Sequence, residues 1–168
     1  MQKGFLIIIL LLIVKTSSGQ QFTSLTGDYL GQAPPGEVPQ VFARGLISSD
    51  YKEHGAPSFS PDGKEVFWWT IRLDTNNQWL NYYKTMRCIE DKWIEPEESP
   101  YKEAPVFSPD GKRLYFASLK EGENPYYIEK EGNKWGEPNN LDLVTRFPEI
   151  RYVYFPTISL NGTLYFMG

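Results

Sequence analysis

The sequence predicts an all-β protein, a β-propeller of four-stranded antiparallel blades, and three observations lead to this prediction. The motif Ser-Pro-Asp-Gly-Lys stands at residues 60–64 and returns unchanged at 108–112, and a degenerate copy, Ser-Leu-Asn-Gly, stands at 159–162. An apolar, aromatic-rich segment follows each copy, which favours a β-strand there. The copies lie about 50 residues apart, and self-similarity at that period is typical of propeller blades.

Residues 1–19 have the layout of a secretory signal peptide. Lys3 supplies a positive charge, residues 5–14 are uninterruptedly apolar, and residues 16–19 are small and polar. The apolar core is too short to cross a bilayer comfortably. We therefore expect an exported protein, periplasmic or extracellular, with no membrane span once the peptide is removed. An uncleaved membrane anchor is the alternative.

Residues 20–40 contain three prolines and several glycines without strand or helix periodicity, which predicts an extended, poorly packed linker. Residues 41–47 then offer a short apolar strand, broken by Arg44 and Gly45. Propellers often close by pairing an N-terminal strand with the last blade, because this removes an exposed edge.

Residues 41–168 are predicted to form a partial propeller, with blade 1 at about 55–98, blade 2 at about 103–146 and the start of blade 3 at about 154–168. Each complete blade receives four strands. They are predicted at 56–60, 65–71, 79–86 and from 91 onward in blade 1, and at 104–108, 113–118, 126–131 and 134–143 in blade 2.

The Ser-Pro-Asp-Gly motif is predicted to be a turn rather than a chemical site. Proline pre-sets the first corner of a type I turn, aspartate hydrogen-bonds back to the backbone, and glycine accepts a positive φ. In the third copy, which is one residue shorter before its strand, Asn161-Gly162 predicts a two-residue type I′ hairpin.

Composition narrows the possible partners and chemistry. The net charge is −4 and no run of Lys or Arg occurs, which argues against nucleic acid or an anionic membrane as the main partner. Cys88 is the single cysteine and cannot form an internal disulfide. His54 is the only histidine and no Gly-x-Ser-x-Gly pattern occurs, so no catalytic residues, metal site or cofactor are predicted.

These residues bear a resemblance to a known family. Pro-x-Phe-Ser-Pro-Asp-Gly-Lys followed by an aromatic-rich strand resembles the PD40, or WD40-like, repeat of TolB-type β-propellers. Residues 29–36 look like the start of exported bacterial proteins that carry this repeat. The resemblance covers residues 29–168 and implies a propeller, commonly of six blades, that binds proteins or small ligands or stands beside another module.

Only two complete repeats and the start of a third are present. Because propellers usually need four to eight blades, the resemblance predicts that the chain is the N-terminal fragment of a longer protein. The remaining blades would lie in that longer chain or in partner chains.

The segments that precede each inner strand are the candidate binding site, since such loops commonly line one mouth of a propeller channel. Charged and aromatic residues recur in them and predict a polar, aromatic-rimmed mouth for a protein, small-molecule or glycan ligand. The alternative is solvated loops, with tyrosines packed between blades and His54 structural. The candidate ligand-binding residues are Tyr51, Glu53, His54, Tyr101, Glu103, Arg151 and Tyr152.

The sequence therefore predicts an exported, non-catalytic propeller that serves as a binding or scaffold module. Two alternatives stay open. The chain could be the N-terminal propeller domain of a longer enzyme, a serine peptidase or a sugar lyase, or the propeller of a peptidoglycan-associated envelope protein.

Overall fold

The structure is a computed structural model that describes residues 25–34, 36–118 and 120–168. These residues are mostly β, with antiparallel sheets and almost no helix. The predicted signal peptide, 1–19, and the first part of the predicted linker, 20–24, lie outside the described residues. Within the described part, no helix has both the length and the apolar character that a membrane crossing requires.

The first sheet is organised around a long hairpin. Its two strands stay in register from Glu65 opposite Arg87 to Leu73 opposite Trp79. Two short strands pair with successive parts of the first hairpin strand, and two more pair with the second. The strands are β1 Lys52–Glu53, β2 Ser58–Phe59, β3 Glu65–Leu73, β4 Trp79–Ile89, β5 Lys92–Trp93 and β6 Glu97–Glu98.

The second sheet follows a similar order with a shorter hairpin, and a third, two-stranded sheet follows it. The second sheet consists of β7 Val106–Phe107, β8 Arg113–Phe116, β9 Tyr126–Glu131, β10 Lys134–Trp135 and β11 Asn139–Asn140. A helical turn, α1 Leu143–Arg146, leads to the third sheet, β12 Tyr154–Ile158 and β13 Leu164–Met167.

The outer strand of each complete sheet differs from the prediction of one continuous strand. β5 and β6 pair with different parts of β4, and β10 and β11 with different parts of β9. Pro96 and Pro138 stand between the two halves, and proline has no N–H to donate to a ladder. The predicted strand 134–143 is also too long, since α1 begins at Leu143.

The Ser-Pro-Asp-Gly motif forms a hydrogen-bonded turn between β2 and β3 in the first sheet and between β7 and β8 in the second. The Ser60 hydroxyl donates to Asp62 Oδ1 at 2.6 Å and accepts the N–H of Glu65 at 2.8 Å. Ser108 and Asp110 make the same 2.6 Å bond in the second copy. The hydroxyl bond is the main reason that the pKa of both aspartates is lowered from the ordinary value.

The turn in the third copy of the motif is not the predicted type I′ hairpin. That turn needs positive φ at both central residues, and only Gly162 has it, at 84°. The N–H of Gly162 donates to Ser159 O at 2.9 Å, and the Ser159 hydroxyl donates to Asn161 Oδ1 at 2.5 Å. The asparagine amide oxygen thus takes the place of the aspartate carboxylate, and the turn has the same plan as the other two copies.

Two apolar clusters lie on opposite faces of the first sheet. Because side chains alternate along a strand, Val66 and Trp68 point to one face and Phe67 to the other. The first face packs on the N-terminal segment and the second packs on the second sheet. The buried members are Leu30, Ala43, Ile47, Val66, Trp68, Met86 and Trp93 in the first cluster, and Phe67, Phe107, Leu114, Phe116 and Ile128 in the second.

The N-terminal segment differs from the predicted linker and strand. Leu30 is completely buried in the first cluster, and the indole N–H of Trp93 donates to Gly27 O at 2.7 Å. Residues 41–47 form turns rather than a strand, because Ala43 O accepts the N–H of Leu46 and of Ile47, each at 3.0 Å. This folding brings the side chains of Ala43 and Ile47 onto the same sheet face.

The burial of Leu30 gives a direct test of this packing. Leu30→Ala should lower the free energy of unfolding by about 2–5 kcal/mol, because it removes buried apolar contacts and leaves a cavity. The matched control is Leu160→Ala, whose side chain is 91% exposed and which should change stability by less than about 0.5 kcal/mol. Urea unfolding of both variants measures the difference, and equal small effects would show that the segment does not pack as described.

The turn hydrogen bonds give a second test. Ser108 is buried whereas Ser159 is partly exposed, so water can replace the lost bonds only at Ser159. Ser108→Ala should cost about 1–2 kcal/mol of unfolding free energy, and Ser159→Ala should cost less than half of that. The same urea titration checks the ranking, and a larger loss for Ser159→Ala would contradict it.

Candidate functional site

A cavity of 540 Å3 lies where the three sheets meet. Its walls come from the chain that leads into β2 and β7, from one face of β3 and β8, and from β12 and β13. The lining is mostly apolar and contains two side chains that can carry charge, His54 and Glu103. Its aromatic members are Trp69, Tyr115, Tyr154 and Phe155.

Glu103 is the acidic group of this cavity. One carboxylate oxygen, Oε2, accepts the N–H of Ala117 at 3.1 Å, and this is the only hydrogen bond to the carboxyl group from the described residues. Burial raises the pKa of Glu103 to about 7, the Ala117 bond opposes the rise, and the charge of Glu123 adds to it. The carboxyl group therefore changes charge near neutral pH, and can donate a hydrogen bond or balance a cation.

His54 and Trp69 form one wall. The backbone N–H of His54 donates to the backbone carbonyl oxygen of Trp69 at 3.1 Å, and the centroids of the two side-chain rings are 4.2 Å apart. Tyr83 packs on Trp69 at 5.3 Å from the neighbouring strand, and the indole N–H donates to Asn81 Oδ1 at 3.1 Å. The ring contacts and the indole hydrogen bond restrict the orientation of Trp69.

The opposite wall comes from the third sheet. Tyr154 stacks on Tyr152 with centroids 5.4 Å apart, and it lies 6.4 Å from the ring of Phe155. Phe155 is 73% exposed and has a positive φ of 48°, a conformation that few non-glycine residues adopt. Residues in such sparsely populated backbone conformations cluster at active sites and ligand clamps, so Phe155 makes this wall a candidate binding surface.

The structure brings two of the seven predicted site residues, His54 and Glu103, to this cavity. The segment before β2 is a strand rather than a loop, since Glu53 pairs with Thr70. Tyr51 packs against Arg72, whose guanidinium donates to the tyrosine hydroxyl at 2.9 Å and lies 5.1 Å from its ring.

The other predicted residues lie elsewhere. Tyr101 packs between the first two sheets, 4.9 Å from the ring of Phe116, and burial raises its pKa to about 12. Arg151 and Tyr152 lie beside Glu121 at the surface, at 3.7 Å and 3.4 Å from its carboxylate oxygens. Neither residue lines the 540 Å3 cavity.

Sequence reasoning missed Trp69, Tyr115 and Phe155 as site residues. Trp69 and Tyr115 fall within the predicted strands 65–71 and 113–118, and a strand assignment alone does not indicate a binding role. Strand alternation could have indicated that Trp69 and Tyr115 share a sheet face. Phe67 and Tyr115 occupy equivalent positions after the motif, and Trp69 lies two residues after Phe67 on the same face.

A second cavity, of 680 Å3, lies against the N-terminal segment. Tyr29, Phe42 and Phe59 line it together with prolines and glutamines, and it contains no carboxylate and no histidine. Binding sites combine an apolar wall with a few convergent polar groups. The 540 Å3 cavity meets that description better, because Glu103 and His54 both reach it.

Within the described residues, no three His, Cys, Asp or Glu side chains are grouped closely enough to hold a metal ion. Cys88 is partly buried against the first apolar cluster, and burial raises the pKa of its thiol. Comparison of the chain with protein-family models, curated proteins and solved structures finds no match.

The raised pKa of Glu103 predicts a pH-dependent stability. Its folded pKa of about 7 lies above the ordinary value of 4.5, so the folded state binds the proton more tightly between these values. The free energy of unfolding should therefore fall, from this group, as pH rises from about 4.5 through about 7.

Urea unfolding at about pH 5 and about pH 7.5 measures this loss. Glu103→Gln cannot ionise and should lose less stability over this interval than the unsubstituted protein. The control Glu53→Gln removes an exposed carboxylate and should keep the full dependence. An unchanged dependence in Glu103→Gln would refute the buried-acid description.

Proposed function

We propose that this chain is a β-propeller module of an exported protein, and that it binds a small ligand in the 540 Å3 cavity without transforming it. The observation that carries the proposal is the cavity itself, an apolar pocket between sheets with two ionisable side chains in its wall. Ligand sites in proteins are typically of this size and combine apolar walls with a few placed polar groups.

The layering of the sheets supports the propeller arrangement. In the first sheet, Phe67 packs toward the second sheet. In the second sheet, Leu114 and Phe116 pack back toward the first, while Tyr115 reaches the cavity shared with the third. Successive sheets thus contact each other through equivalent faces, as blades do around a propeller axis.

The position of the cavity supports binding as its role. β2, β7 and β12 are the strands that directly precede the three copies of the turn motif, and residues from each of them reach the cavity wall. In a propeller these strands surround the central channel. A ligand bound there would contact all three sheets.

A substitution that fills the cavity tests this proposal. Ala56 lines the cavity and is exposed, so Ala56→Trp can occupy the space from the open side without disturbing the core. We expect it to weaken binding at least about tenfold, or about 1.4 kcal/mol. Ala33→Trp fills the 680 Å3 cavity instead and serves as the matched control.

The measurement is saturation-transfer NMR on the intact protein with cationic, anionic, neutral apolar and sugar probes. At least one class should give a signal that Ala56→Trp removes and Ala33→Trp retains. The proposal fails if no class gives such a signal, or if only Ala33→Trp removes it.

A further inference from the structure

We propose that the ligand of this cavity is an organic cation, a substituted ammonium group with apolar substituents. The inference rests on the proposed binding function and names its ligand class. Among the described residues, the lining holds one carboxyl group, Glu103, and four aromatic side chains, and no Lys or Arg. A cavity of this composition favours positive charge, because a carboxylate and aromatic rings both attract cations.

Glu103 is placed to balance that charge. The backbone N–H of Ala117 holds Oε2 at 3.1 Å, and no described residue donates to Oε1. The Glu103 side chain is partly buried, and a carboxylate that is withdrawn from water without a partner cation is unfavourable. An ammonium group in the cavity would supply the missing partner, and its apolar substituents would contact the aromatic walls.

Aromatic rings elsewhere in the described chain already have cations over them. Arg72 lies 5.1 Å from the ring of Tyr51 and 5.0 Å from that of Tyr82, and Lys52 lies 5.7 Å from that of Trp79. Lys130 lies 5.2 Å from the centroid of the Trp135 ring, and Arg113 lies 5.0 Å from that of Tyr127.

Among the described residues, no such pair involves Trp69, Tyr115, Tyr154 or Phe155. Arg113 interacts with the Tyr115 side chain, and its charge is balanced by Glu129 at 2.7 Å. Within the described residues, the chain therefore places no cation of its own over these four cavity rings.

The groups around Glu103 determine how binding depends on pH. Tyr83 of β4 and Tyr126 of β9 interact electrostatically with it, Glu123 approaches from the loop before β9, and His54 lines the same cavity. The tyrosines stay neutral near pH 7. Protonation of Glu103 removes the negative charge that attracts a cation.

The test compares choline with dimethylbutanol, its isostere in which carbon replaces the quaternary nitrogen, by isothermal titration calorimetry on the intact protein. At about pH 8, choline should bind at least about tenfold more tightly than the isostere. Glu103→Gln should remove most of this preference and leave the isostere unchanged, whereas the exposed control Glu53→Gln should change neither.

Two further measurements separate the contribution of the Glu103 charge from that of the aromatic wall. Between about pH 8 and about pH 6, choline binding should weaken severalfold in the unsubstituted protein and in His54→Gln, but not in Glu103→Gln. Phe155→Leu removes an aromatic ring that is largely exposed, so folding is preserved, and it should weaken choline binding more than isostere binding.

Equal affinity for choline and the isostere would overturn the cation proposal while leaving small-ligand binding intact. So would choline binding that is insensitive to Glu103→Gln. If neither probe binds while another class gives the signal that Ala56→Trp removes, the ligand class is wrong. If no class gives that signal, the proposed function fails with it.

Discussion

Strands β3 and β8 are buried on both faces, because their alternate side chains pack against different neighbours. Val66 and Trp68 of β3 contact the N-terminal layer, while Phe67 contacts the second sheet. This two-sided burial fixes the register of the hairpin, since a shift by one residue would exchange the two sets of contacts. It also determines which side chains reach the cavity, because Trp69 and Tyr115 lie on the faces that point toward the following sheets.

The electrostatics of the chain differ between its surface and this cavity. At the surface, cations and aromatic rings come from the same chain, as where Arg72 lies between Tyr51 and Tyr82. Pairs of this kind are satisfied within the protein and have little affinity left for a ligand. Glu103 is different, because its one hydrogen bond comes from a backbone N–H and its burial favours the neutral form. A site that is only partly satisfied in the free protein gains the most when a complementary group enters.

The sequence predicts local structure better than it predicts which segments meet. The all-β, antiparallel character follows from the spaced turn motifs and aromatic strands, and β3, β4, β8 and β9 lie within a few residues of their predicted bounds. The packing of Leu30 could not be read from a proline-rich segment, since its partners lie on a sheet formed later in the chain. The split outer strands were foreseeable from Pro96 and Pro138. At the site, His54 and Glu103 were identified by residue type, whereas Trp69 and Tyr115 needed the face of the strand as well as its position.

The Ser-Pro-Asp-Gly turn has a consequence for the order in which the chain can fold. Each side-chain bond that closes it spans two to five residues, as from Ser60 to Asp62 and to Glu65. The hairpins that this turn closes, β2 with β3 and β7 with β8, lose little loop entropy and can form before any other sheet is present. The bond from Trp93 to Gly27, by contrast, joins residues 66 positions apart. We therefore expect the hairpins to nucleate independently and the N-terminal layer to dock afterwards, so that folding proceeds in modular steps between neighbouring units.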